Sequence, residues 1–257
     1  MNILFTICGR SGSKGFKNKN MKEMNGIPLV YYTLSVIKLY QEAHPEDVVI
    51  TAVNTDSKEL LKIVRSQNMI EDIQEVERRE DLAGDRVAKV EVIKDTYLNC
   101  RKSMNFDIVI DLDITSPIRR LIDVENIIGV LLGNEEYDLV FSVVPARRSP
   151  YFNMVEKREK YYRKICFSDF TARQQAPKSY ELNASIYAYR PGFLNNVIDK
   201  TILDYRCGIS EMRDYLVLDI DSEEDFILMS MLIDYFANED TELKRVINIA
   251  EKLNRMR

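Results

Sequence analysis

The chain has 257 residues, 46% of them hydrophobic, and a formal net charge of −5; it is long enough for one large α/β domain with a full core, and too acidic for a general nucleic-acid or anionic-membrane binder. Its four cysteines (Cys8, Cys100, Cys166, Cys207) form no Cys-x-x-Cys pair and read as free thiols of a reducing compartment, while a single histidine, His44, excludes a His-Glu-x-x-His zinc site and argues against a His-based triad. No apolar run reaches about 18 residues and no basic segment precedes the first one, so neither a membrane span nor a signal peptide is expected, and the expected location is the cytoplasm.

In chain order, Asn2–Cys8 is a short apolar run rich in strand-favouring residues. It feeds a loop over 9–20 that carries Gly9, Gly12 and Gly15 together with Arg10, Lys14, Lys17 and Lys19. Glycines let a backbone turn tightly and approach a ligand, and the N–H groups of such a loop form an anion nest. The loop fits neither the Walker A pattern nor Gly-x-Gly-x-x-Gly. A strand leading into a glycine–lysine loop reads as a polyphosphate site, with a solvated basic turn as the alternative.

Pro28 opens an amphipathic helix to about Ala43, and Asp47–Asn54 reads as a buried strand. Asp56-Ser57 caps a helix over Lys58 to Gln67, followed by a short strand near Gln74–Glu77. A loop over Arg78–Asp85 precedes a helix from about Val87 to Ser103, and Asp107–Asp113 is again a strand. A helix over about Ile122 to Leu132 and a strand over Asp138–Val144 continue the alternation, which implies a mostly parallel sheet wrapped by helices. From Pro145 to about Asn183 the alternation stops. That segment is basic and aromatic, and is expected to leave the sheet as a lid or partner-binding arm. Ala184–Tyr189 returns as a strand, Tyr215–Asp221 is read as the last strand, and helices follow from Ser222 to Tyr235 and from Asp240 to Leu253.

Asp219 and Asp221 lie two apart at the end of that expected last strand, so both carboxylates would share one face, where open α/β sheets bind ligands. Two converging carboxylates suit Mg2+, which keeps part of its water and bridges to phosphate oxygens; the alternative is that Asp221 or Ser222 only caps the next helix. Asp111 and Asp113 repeat the spacing, with Ile108, Ile110 and Leu112 on the other face, and either meet phosphates or acceptor or only bond nearby backbone. Arg173 suits bidentate carboxylate recognition and Asn183 suits hydroxyls, against the alternative of a solvated polar loop. Taken together, these groups predict phosphoryl-type transfer from a nucleotide, which needs positioning and charge neutralisation rather than histidine.

The motif set resembles the acylneuraminate cytidylyltransferases. The resemblance rests on Gly9-Arg10-Ser11-Gly12-Ser13-Lys14-Gly15 with Lys19-Asn20, Arg78-x-x-x-Leu82-Ala83-x-Asp85, Thr115-Ser116-Pro117-x-Arg119, Arg173-Gln174-x-x-Pro177 through Asn183-Ala184-x-Ile186-Tyr187, and Asp219-Ile220-Asp221-Ser222-x-x-Asp225. Stretches such as Asp85–Lys89, Asp111-Leu112-Asp113, Val144–Asn153 and Arg173–Lys178 look closer to the bacterial subgroup that activates legionaminic acid and related nonulosonates.

The resemblance covers essentially the whole chain. It implies a Rossmann-like α/β fold over 1–257, with a dimerisation excursion at about 145–183, and a homodimer. It also implies CMP transfer from CTP to the anomeric 2-hydroxyl of a nine-carbon 2-keto sugar acid, with pyrophosphate released. Arg10, Ser13, Lys14 and Lys19 would hold the triphosphate, with Arg10, Lys14 and Asp221 closest to the chemistry. Asn20, Arg78 and Lys89 would contact the nucleotide, and Asp113, Arg173 and Asn183 the sugar. Asp219 and Asp221 would hold Mg2+, with Mn2+ as a substitute. The chain departs from the sialic acid enzymes by Asp113 in place of Gln, Lys89 in place of Ser near the cytosine, and Glu181 in place of a second Arg, and these departures bear on the sugar and, to a lesser degree, on base reading.

Overall fold

The computed structural model describes residues 1–12, 15–198, 201–216 and 218–255. The strands are β1 (Asn2–Cys8), β2 (Glu23–Met24), β3 (Ile27–Pro28), β4 (Val48–Thr55), β5 (Gln74–Glu77), β6 (Ile108–Leu112), β7 (Leu139–Pro145), β8 (Val155–Arg158), β9 (Tyr161–Lys164), β10 (Tyr180–Tyr189) and β11 (Cys207–Glu211). The helices are α1 (Leu29–Ala43), α2 (Lys58–Arg65), α3 (Lys89–Cys100), α4 (Leu121–Gly133), α5 (Pro191–Asn196), α6 (Glu223–Glu239) and α7 (Thr241–Arg255). Among the described residues no helix is long and apolar enough to cross a membrane.

Seven strands form one sheet in the order β11-β7-β10-β6-β1-β4-β5. Every neighbouring pair is parallel except those made by β10, which runs antiparallel to both β6 and β7. The central strands are apolar on both faces because helices cover both faces. On β1, Ile3, Phe5 and Ile7 join a core shared with α1, α4 and α7, while Leu4 faces the core under α3 and α5. On β6, Ile108, Ile110 and Leu112 take the first face and Val109 the second, so Asp111 points toward α3, as the two-residue alternation requires. Helix α1 starts directly after Pro28, and nearly every residue from Leu29 to Ile37 is buried, because the helix lies between the sheet and α7.

The chain ends differently from the sequence reading. Among the described residues of 215–221 none belongs to a strand. Asp214–Leu216 is one turn of 3-10 helix, Val217 lies outside the described residues, and no strand covers 218–221. Leu216 and Ile220 are buried because they pack into the core, and the Ile220 N–H donates to the Thr115 carbonyl at 3.0 Å. The last strand is β11, the short segment Cys-Gly-Ile-Ser-Glu at the sheet edge beside β7. Within the arm, β8 and β9 form a separate two-stranded hairpin, on which Tyr161, Tyr162 and Val155 are exposed.

Candidate active site

The site lies at the carboxyl ends of β1, β4 and β6, the edge where open α/β sheets place ligands. The glycine–lysine loop leaves β1 with its Gly9 N–H bonded to the Asn54 carbonyl at the tip of β4, 3.1 Å away. Ser11 then donates from its N–H and its hydroxyl to the Asp56 carboxylate, at 2.7 and 2.6 Å, which pins the loop to the start of α2. Gly12 has φ +71, a conformation that favours glycine. At Gly15 a side chain would meet the Asp221 carbonyl oxygen at 2.8 Å, so only glycine lets the loop pass this close to the 219–221 segment. Ser13 and Lys14 lie outside the described residues.

A cavity of about 250 Å³ opens between this loop and the strand tips. It gathers the cations Arg10, Lys19, Arg78 and Lys89 and the neutral amide of Asn20 with the carboxylates Asp85, Asp113 and Asp219. Arg78 is buried, with Nε donating to Asn54 Oδ1 at 2.8 Å and Nη2 to the Asn54 carbonyl at 3.1 Å. Asn20 is buried as well and donates from Nδ2 to the Arg10 carbonyl at 3.0 Å. Arg10 pairs with Asp85 at 2.5 Å, and Lys19 Nζ reaches both the Ile220 carbonyl and Asp221 Oδ1 at 2.9 Å.

Asp113, Asp219 and Asp221 sit in three different environments, and Asp221 is not among the described residues that line the cavity. Asp113 Oδ1 accepts from the Thr115 N–H and hydroxyl at 2.9 and 2.8 Å, and its Oδ2 meets Lys89 at 2.5 Å. Burial opposes ionisation of Asp113, but the Lys89 ammonium outweighs it and holds the carboxyl well below the usual range. Asp219 behaves in the opposite way: burial, and then the nearby Asp113 charge, raise its pKa. Asp221 is 78% exposed. Neither Asp219 nor Asp221 caps α6, because Ser222 and Asp225 form the reciprocal cap there, with Asp225 N donating to Ser222 Oγ at 3.1 Å and Ser222 N to Asp225 Oδ2 at 2.8 Å. Of the two residues in the helix-cap alternative, Ser222 caps the helix and Asp221 does not.

Two expected acceptor contacts stand apart from this cavity. Asn183 is buried, its Oδ1 accepting from Ser142 at 2.6 Å and its Nδ2 donating to the Leu216 carbonyl at 3.0 Å, so its amide is committed to the fold. Arg173 is exposed and donates to the Ala146 carbonyl at 3.1 Å. It lines a second cavity, of about 470 Å³, with Arg148 and Lys178, and among the described residues none lines both cavities. Lys89, expected at the nucleotide, bridges the Asp111–Asp113 pair. Two groups had no role assigned from sequence. Asp85 fixes Arg10. Arg119 is fully buried, donates to Ser185 Oγ at 3.1 Å, to the Ser116 carbonyl at 2.5 Å and to the Asp113 carbonyl, and is pushed down to about 10 by burial. Asp85 and Arg119 close two of the quoted motifs, which was the available signal.

A mostly parallel sheet with a glycine-rich loop and a cation-lined cavity across its strand tips defines a nucleotide-dependent transferase site. The chain belongs to the cytidylyltransferase family, whose profile matches residues 4–253, and it is accordingly a nucleotidyltransferase. It is similar to the post-translational flagellin modification protein B of Campylobacter coli, at 35% identity over 90% of this chain and 94% of that protein. It is similar to the same extent to the CMP-N,N'-diacetyllegionaminic acid synthase of Campylobacter jejuni, with 35% identity and the same coverage. Among solved structures, the CMP:2-keto-3-deoxy-manno-octonic acid synthetase complexed with CTP shares the fold with a TM-score of 0.65 at 14% identity, covering 91% of this chain and 99% of that one.

Proposed function

We propose that this chain transfers CMP from CTP to the anomeric 2-hydroxyl of a nine-carbon 2-keto sugar acid of the legionaminic type. The hydroxyl oxygen bonds to the α-phosphorus, its proton leaves, and the bond to pyrophosphate breaks. The observation that carries this reading is the strand-tip cavity, in which Arg10, Lys19, Asn20 and Arg78 face Asp113 and Asp219. The legionaminic synthase named above supports the acceptor class.

In this reading Arg10 and Lys19, with Ser13 and Lys14 of the same loop, hold the triphosphate, and Arg78 and Lys89 border the nucleotide. Asp219 and Asp221 fit a divalent ion as neighbouring carboxylates: capping of α6 is done by other residues, and burial, with the Asp113 charge beside it, raises the Asp219 pKa, a cost of ionisation that a bound cation would offset. Mg2+, or Mn2+ in its place, would be held there, since Mg2+ needs one or two carboxylates plus phosphate oxygens. When bound, such an ion neutralises triphosphate charge and acidifies a coordinated hydroxyl.

Arg173 is proposed to take the acceptor carboxylate, supported by its place in the second cavity. Arg148 and Lys178 beside it make that cavity rich in cations, which is the observation that favours a phosphate-bearing acceptor as second reading. We read the whole chain as one nucleotidyltransferase unit of a cytoplasmic homodimer. The exposed Tyr161, Tyr162 and Phe167 of the arm support a subunit contact there, and the four free cysteines support the reducing location.

The test is pyrophosphate release from CTP and Mg2+ with a panel of N-acetylneuraminate, a diacetylated legionaminic acid, a pseudaminic acid, 3-deoxy-manno-octulosonate and a sugar 1-phosphate. Release with the legionaminic compound, lost in Asp221→Ala, is the expected result. Release only with the sugar 1-phosphate establishes the second reading and ends the first.

A further inference from the structure

By spacing, Asp111 and Asp113 look like a second pair of metal ligands, and the structure shows what sits between them. Lys89, the first residue of α3, extends its ammonium to Asp111 Oδ2 at 2.7 Å and to Asp113 Oδ2 at 2.5 Å. Asp111 is fully buried on the face of β6 that looks toward α3. Its Oδ1 accepts from the Thr6 hydroxyl at 2.8 Å, but its Oδ2 accepts no hydrogen bond of good geometry. Among the described residues, the Lys89 ammonium is that oxygen's charge compensation. The Tyr187 ring also faces the ammonium, at 5.3 Å.

A buried carboxylate stripped of water needs a cation or a proton. The pair here has a cation supplied by the chain itself, and it bridges one oxygen from each carboxylate, as a hydrated divalent ion would. Its origin matters too. The loop before α3 supplies Arg78, Leu82, Gly84, Asp85 and Val87 to the wall of the strand-tip cavity. The Lys89 contacts therefore tie that wall to the tip of β6 at the point where the loop enters the helix.

We propose that Lys89 is a built-in counter-ion that occupies a latent divalent-cation site formed by Asp111 and Asp113, so that this pair takes no metal and divalent binding is confined to Asp219 and Asp221. Lys89 is on this account a positioning residue: it keeps Asp113 ionised and turned toward α3, and it fixes the end of the nucleotide-side wall. The confinement clause rests on the proposed role of Asp219 and Asp221. The latent site does not, because it is read as a difference from wild type.

The experiment titrates Mn2+ by electron paramagnetic resonance into the wild-type chain, Lys89→Met, Lys89→Met/Asp111→Asn and Asp219→Asn/Asp221→Asn, without nucleotide, and records Tm with and without Mn2+. Lys89→Met is expected to bind an additional Mn2+ per chain and to gain more Tm from Mn2+ than wild type; removing the Asp111 charge as well abolishes both gains. If Lys89→Met is folded by circular dichroism yet binds as many ions as wild type, the proposal is overturned. Should Lys89→Met unfold, refolding on addition of Mn2+ supports the latent site. Unfolding with and without Mn2+, while Lys89→Met/Asp111→Asn folds, contradicts it, because charge balance alone would then explain the lysine. Loss of wild-type Mn2+ binding in Asp219→Asn/Asp221→Asn is expected; unchanged binding there ends the confinement clause and the metal reading of those two residues, and leaves the Lys89 comparison standing.

Discussion

The strand-tip cavity and the 145–183 arm are both rich in cations, and they hold them in opposite ways. At the strand tips each cation is tied down by the fold: Arg78 by Asn54, Arg10 by Asp85, Lys89 by Asp111 and Asp113. In the arm Arg148, Arg173 and Lys178 are exposed, and aromatic surface lies open, with Phe167 at 90% exposure. Groups fixed before the ligand arrives lose little entropy on binding and stabilise developing charge fully, whereas groups on an exposed arm must be ordered by the acceptor or by a second subunit. In the proposed function, this difference would give the chemistry to the first region and acceptor choice and assembly to the second.

The sharpest way to break that division is to remove a carboxylate from the strand tips. Asp219→Ala is expected to lower kcat by on the order of 10²–10³-fold, measured as pyrophosphate release at saturating CTP and acceptor; a loss confined to KM of the acceptor would place Asp219 with the arm. A smaller effect is expected from Arg173→Ala. Loss of a charge-assisted hydrogen bond worth about 2 kcal/mol should raise KM for the acceptor roughly 30-fold while KM for CTP stays put, and a change in the CTP constant alone would contradict the division.

Stability should follow groups that belong to neither region. Asp240 starts α7, with Oδ1 accepting from the Glu242 and Leu243 N–H groups at 3.0 and 3.2 Å and Oδ2 from Tyr215 at 2.7 Å and Arg213 at 3.0 Å. Asp240→Ala is expected to cost about 2 kcal/mol, read by urea unfolding. Burial works against the Asp240 charge, but the bonds from Tyr215 and Leu243 outweigh it and hold the carboxyl below its usual range. Its contribution is therefore complete above the unfolded-state value and is lost as the pH falls through the lower folded-state value. The Tm of wild type should accordingly fall more steeply than that of Asp240→Asn between about pH 5 and the acid limit; parallel curves would show that Asp240 carries no such linkage. The smallest expected effect is at the arm surface: Phe167→Ser should change stability by less than about 0.5 kcal/mol while weakening self-association in sedimentation. Loss of Tm without loss of association would make that surface part of the fold instead.

The central strands and the loop after β1 were legible because runs buried on both faces and glycine–lysine loops leave strong local signals. The end of the sheet was not. Strand β11 is a five-residue polar edge strand with little period to read, and in the stretch 215–221 Leu216 and Ile220 are buried by packing rather than by a ladder. The candidate site divides along the same line. Arg10, Lys19, Asn20, Arg78, Lys89, Asp113 and Asp219 do meet in one cavity, since the loops and helix starts that carry them gather at the strand tips. Asn183 does not join them. The pairing of β10 with β7 shifts register between Leu182 and Tyr187, Ala184 has φ 53, and the Asn183 amide is buried against Ser142 and Leu216. A bulge of that kind has no composition signal.

The most direct measurement is the structure of the product formed from CTP and N,N'-diacetyllegionaminic acid, by phosphorus NMR and mass spectrometry. A CMP unit joined by a phosphodiester bond to C2 of the sugar, formed in step with pyrophosphate, is the predicted result. Pyrophosphate appearing with free CMP, or CTP binding with no turnover on any acid of the panel, would contradict the account.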